Sequence, residues 1–66
     1  MKATSNLLIN FLKEALNYSS QDAEIFFHLS RSYFAMDNID QAIESLRNCL
    51  NISPEYPEAN KIYEHL

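Results

Sequence analysis

From Asp22 to Met36 the apolar residues Phe26, Leu29, Tyr33 and Met36 recur every three or four positions, the spacing that gathers side chains on one face of a helix. Asp22, just ahead of that run, has the side chain of an N-cap. A second stripe, Ile39, Ala42, Ile43, Leu46, Cys49 and Leu50, begins behind Asn38, and Gln41 completes a variant of the capping box with it. Only Asp37 and Asn38 separate the two stripes, so the two helices are predicted to fold back on each other as an antiparallel hairpin. Upstream, Leu8, Leu12, Ala15 and Leu16 predict a helix over 5–18, followed by the polar connection Ser19-Ser20-Gln21-Asp22. Downstream, Ser53-Pro54-Glu55-Tyr56-Pro57 stops the second hairpin helix, because proline cannot continue the hydrogen-bond ladder and biases its predecessor away from helix. Pro57 suits the first turn of a last helix over 57–66, whose face is Ala59, Ile62, Tyr63 and Leu66.

Four helices imply an all-α fold, and composition agrees. Gly is absent and only Pro54 and Pro57 are proline, so the tight turns of a hairpin-rich β protein lack the residues they need. The chain has 66 residues, 47% of them hydrophobic and 21% charged. That is a single domain, 1–66, apolar enough to fold but with a small core.

The pattern also contains its own repeat. A shift of 34 residues lays Leu8–Glu24 over Ala42–Glu58 and pairs Ile9 with Ile43, Leu12 with Leu46, Leu16 with Leu50, Asn17 with Asn51, Ser19 with Ser53 and Glu24 with Glu58. A helix–turn–helix unit of that period resembles the tetratricopeptide repeat family. The resemblance is carried through 23–56 by Phe26, Leu29, Ser30 and Tyr33 on the first helix and by Ala42, Leu46, Cys49 and Pro54 on and after the second. Small residues at Ser30, Ala42 and Cys49 let helices approach closely, while Phe26, Leu29, Tyr33 and Leu46 fill the space around them. Asp37 stands where the family commonly has Gly, a departure that Asp tolerates better than most residues. The resemblance implies one complete repeat at 23–56, the second half of a preceding repeat at 5–18, and the first helix of a following repeat or a capping helix at 57–66. Together they would form a fragment of a right-handed superhelix.

Charge and chemistry narrow the function. A net charge of −4, with Lys2, Lys13, Arg31, Arg47 and Lys61 scattered, works against nucleic-acid binding, which draws its affinity from clustered bases. Cys49 is the only cysteine, so no intrachain disulfide forms and a reducing, cytoplasmic setting is expected. The run Leu7 to Leu12 contains Asn10 and meets Lys13-Glu14 at once, which fits neither a signal peptide nor a membrane span. His28, His65 and Cys49 show no paired ligand spacing, and no metal or cofactor is expected. Ser30 and His28, two apart on a helix, diverge by roughly 200° and cannot share a proton. Asp37 with Asp40 and Glu55 with Glu58 lie at helix starts, where the macrodipole favours negative charge. Without Gly there is no phosphate-binding loop. The expectation is a protein that is not an enzyme.

A binding or scaffolding role remains. In the family it resembles, the first helix of each pair lines a concave groove, which implies that Glu24, Phe27, Arg31 and Phe34, joined by Glu58, Lys61 and His65, receive a protein or peptide partner. Phe27 and Phe34 lie off the Phe26, Leu29, Tyr33 stripe, so they are either an exposed anchor pair or packing for a neighbouring helix. Some members of the family grip a terminal carboxylate with Lys, Asn and Arg on this face, and the resemblance places Glu24, Phe27 and Glu58 at several of those positions, so a carboxylate clamp is not expected. A second expectation is either self-association, as a homodimer in which the open end of one chain, with parts of Leu8, Leu12 and Leu16, is covered by the other, or that the chain is one piece of a longer solenoid.

Overall fold

A computed structural model describes the backbone of residues 2–19 and 21–66 and the side chains of residues 6–19 and 21–66. The predicted place of Ser20 in the first connection lies outside the described residues. Four helices follow in order: α1 Lys2–Leu16, α2 Ala23–Ala35, α3 Ile39–Ile52 and α4 Pro57–Glu64. No strand occurs among the described residues. The predicted all-α architecture of helical hairpins is the observed one. α2 and α3 share the most extensive interface, α1 packs on α2, and α4 packs on α3.

The ends of these helices follow from local chemistry. Asp22 caps α2, its Oδ1 accepting from the Glu24 amide at 3.0 Å. At the other end Asp37 turns the chain with φ 63°. The amide of Asp37 then donates to the Phe34 carbonyl and that of Asn38 to the Tyr33 carbonyl, at 3.0 and 2.9 Å. That pair of bonds is a Schellman closure, built here on Asp in the left-handed position usually given to Gly. Asn38 does occupy the N-cap of α3, but its side chain makes no capping bond. The side chain is exposed, so water competes for its amide, and the predicted capping box with Gln41 is not formed. After α3, the Tyr56 amide donates to the Ser53 carbonyl across a turn with Pro54 in its second position, and Pro57 opens α4. Asn60, which no periodicity singles out, closes this corner: its Nδ2 donates to the carbonyls of Pro54 and Tyr56, at 2.9 and 3.1 Å.

The core has two adjoining parts. One joins Ile9 and Leu12 of α1 to Leu29 and Tyr33 of α2 and Ala42 of α3. The other joins Phe27, Leu46, Cys49 and Ala59, bringing α2, α3 and α4 together. Phe26 is half-buried and touches both. Ser30, fully buried, satisfies its hydroxyl by donating to the Phe27 carbonyl 2.6 Å away, so a small polar residue sits in the helix contact without a lost hydrogen bond.

Several predicted faces shift. On α1 the buried residues are Ile9 and Leu12, with Leu16 half-buried, while Leu8 is exposed. The predicted stripe thus holds at Leu12, Ala15 and Leu16, while at its start Ile9 rather than Leu8 packs into the core against α2. On α4, Ala59 is buried and Ile62 half-buried, but Tyr63 is exposed, as is Leu66 beyond the helix end. Pro54, predicted among the repeat-defining core residues, is exposed. Its contribution is to end α3 and shape the following turn.

Candidate functional site

α2 positions the candidate site because it is flanked on one side by α1 and shares a cleft with the end of α4. Its buried face is set by Leu29, Ser30 and Tyr33, which leaves Arg31 exposed and Phe34 half-buried. Between α2 and α4 lies a cleft of ≈ 410 Å³ walled by Arg31, Phe34, Ile62, His65 and Leu66. Three side chains make its apolar floor and wall, and two nitrogen-bearing side chains stand at its polar rim. A second hollow of ≈ 320 Å³ runs between α1 and α2, lined by Leu8, His28, Arg31, Ser32 and Ala35. Arg31 borders both, so the two hollows lie on either side of one cationic side chain.

The predicted groove residues therefore divide. Arg31, Phe34 and His65 come together in the α2–α4 cleft. Glu24, Glu58 and Lys61 are exposed but do not line it. Glu24 instead lies 3.7 Å from the Nε2 of His28 one helical turn along, an ion pair whenever that imidazole is protonated. Phe27 does not face outward: only 3% of it is exposed. It packs with Leu46, Cys49 and Ala59, its ring 5.1 Å from that of Tyr56, and the Arg31 guanidinium lies 5.9 Å from its centre. Of the two meanings open for Phe27, it takes the packing one, since α4 and the turn before it occupy the space an outward ring would need. Phe34 alone keeps an edge in the cleft.

Ile62, Leu66 and His28 line these hollows without having been expected there. For Ile62 and Leu66 the missing signal was the orientation of α4, a helix of eight residues whose short stripe leaves that orientation loosely defined. Among the described residues no three His, Cys, Asp or Glu side chains gather as a metal site would require. Cys49 is buried, and burial pushes its thiol above the ordinary range, which suppresses the thiolate. Nor is any described helix long and apolar enough to cross a membrane.

An antiparallel α2–α3 hairpin, with a helix packed on either side of it, is the arrangement of a helical-repeat fold. The tetratricopeptide repeat model matches residues 23–56, just over half of the chain, and the chain belongs to that family. Repeats of this family generally mediate protein–protein interaction and are typically non-catalytic. Comparison with curated proteins and with solved structures found no match.

Proposed function

We propose that the chain is a protein-interaction module that holds a polypeptide segment along α2, with the cleft between α2 and α4 as the principal subsite. The observation that carries this reading is the wall of that cleft, where Phe34, Ile62 and Leu66 offer an apolar seat and Arg31 stands beside it. An apolar anchor side chain with an acidic neighbour satisfies both, since the anchor removes apolar surface from water and the carboxylate pairs with the guanidinium. The hollow toward α1, which shares Arg31, extends the track along which the segment would run. Glu24, Glu58 and Lys61 take the part of a charged surround that tunes association, and Phe27 that of internal support.

Under this reading 5–18 and 57–66 serve as half-repeats that give the α2 track its two walls. Selection of peptides from a random displayed library tests it. Recovered peptides are expected to carry an apolar residue next to Asp or Glu and to lose binding at least tenfold to Phe34→Ser and to Arg31→Glu, both of which should keep native helical content. Peptides that bind the double variant as well as the unaltered chain would remove the cleft from consideration.

A further inference from the structure

The side of α1 turned away from the core carries Leu7, Phe11 and, in the turn that continues it, Tyr18; these are 72%, 68% and 88% exposed. Phe11, Glu14, Ala15 and Tyr18 enclose a shallow cleft of ≈ 310 Å³ there, and no described residue of α2, α3 or α4 lines it. The 34-residue repeat shows what this face is not. Leu8, Phe11 and Ala15 correspond to Ala42, Ser45 and Cys49 of α3, all three buried, with Ala42 against Leu29 and Tyr33 and Cys49 beside Phe27 of α2. Small side chains in α3 admit α2 at close range. In α1 two of the three equivalents are bulky, so a helix approaching as α2 approaches α3 would meet Leu8 and Phe11.

What α1 offers instead is a projection beside a hollow, Phe11 one turn before Ala15. We propose that this face pairs with the same face of a second copy, the two α1 helices running antiparallel about a two-fold axis. Phe11 of each copy then seats over Ala15 of the other, and Leu7 and Leu8 of each meet Tyr18 of the other. Such an isologous contact uses one large-and-small pair twice. Its size places it in the class of small, transient interfaces. With large aromatics presenting about 150–250 Å² each, the exposed parts of Leu7, Leu8, Phe11 and Tyr18 amount to roughly 600 Å² per copy, against about 800 Å² in a standard stable interface. The dimer is therefore reversible and concentration-dependent. The two-fold axis also brings both copies of Glu14 to the same rim, and Lys13 is directed toward the Tyr33 ring, 5.9 Å away, rather than between them. Like charges thus oppose the pairing.

This inference does not rest on the cleft between α2 and α4. Sedimentation velocity of the whole chain from about 5 to about 500 μM, a span suited to the weak encounters that small interfaces make, should reveal a monomer–dimer exchange. Phe11→Asp should sediment as a folded monomer throughout, Glu14→Gln should tighten the dimer about two- to fivefold by removing the like-charge opposition, and Phe34→Ser should dimerise like the unaltered chain. A chain that stays monomeric at every concentration, or a Phe11→Asp variant that dimerises unchanged, overturns the proposal. A Glu14→Gln variant with an unaltered dimer constant overturns the antiparallel register.

Discussion

The ring of Phe27 lies 5.1 Å from the ring of Tyr56, tilted by 37°, and this contact fastens the middle of α2 to the connection between α3 and α4. With Leu46, Cys49 and Ala59 around it, Phe27 occupies the place where α2, α3 and α4 meet. Phe27→Ala is expected to cost about 3–5 kcal/mol, the range for a buried aromatic truncated to Ala. A chain of this length has roughly 3–10 kcal/mol in total, so thermal melts followed by circular dichroism should show the variant largely unfolded or melting far lower. Phe34→Ala, at the half-exposed cleft, should lose under about 1.5 kcal/mol. A Phe27→Ala variant with an unchanged melt would mean that the contact is not structural.

The same residue shows where sequence reading reached its limit. Helix number, the α2–α3 hairpin and the family were legible because they depend on spacing, turn chemistry and the 34-residue register, all local or periodic. Leu29, Tyr33, Ala42, Leu46 and Cys49 were identified as core for that reason, and Asp22 as a cap. Phe27 was not settled, because whether a helix face is wet depends on what a later element covers. Here α4 and the turn before it supply the cover, and their position hangs on the Asn60 bonds to Pro54 and Tyr56, which leave no periodic trace. The burial of Ile9 rather than Leu8 is of the same kind, since two adjacent apolar residues at the start of a stripe both fit its phase.

Asp37 holds φ 63° in the turn between α2 and α3. A side chain in that region crowds the following carbonyl at about 1–2 kcal/mol for most residues, and less for Asp. Asp37→Gly relieves that crowding but gives the unfolded chain more freedom, so a net gain of about 0.5–1 kcal/mol is expected. Asp37→Val should lose about 1–2 kcal/mol, because a β-branched residue tolerates this geometry least. Urea midpoints of the three chains should rank Gly, Asp, Val.

Two N-caps with similar side chains should behave differently. Asp22 accepts from the Glu24 amide, whereas Asn38 makes no side-chain capping bond. Asp22→Ala should therefore lower stability by about 1 kcal/mol, and Asn38→Ala by less than about 0.5 kcal/mol. Equal losses in urea titration would show that Asn38 caps α3 in solution after all.

Alkaline pH should loosen the α2–α3–α4 part of the core. Burial raises the Cys49 thiol above its ordinary range. The Tyr56 phenol is raised first by burial and then by negative charge at Glu58 and Glu24, with smaller effects from Cys49 and Asp22. In both cases the folded chain holds the proton more tightly than the unfolded chain does. The unfolded chain therefore releases it first as pH rises, binds fewer protons than the native state, and gives a stability that falls with pH. The contribution is complete below the ordinary thiol and phenol values of about 8.5 and about 10, and it is lost as pH climbs from there through the raised native values. Urea melts across that range should show the decline. Cys49→Ala should remove the part that begins in the thiol range, at the cost of a small cavity, and Tyr56→Phe the part that begins in the phenol range, while neither variant changes the slope near neutrality. A double variant that loses stability with pH as steeply as the unaltered chain would assign the decline to other groups.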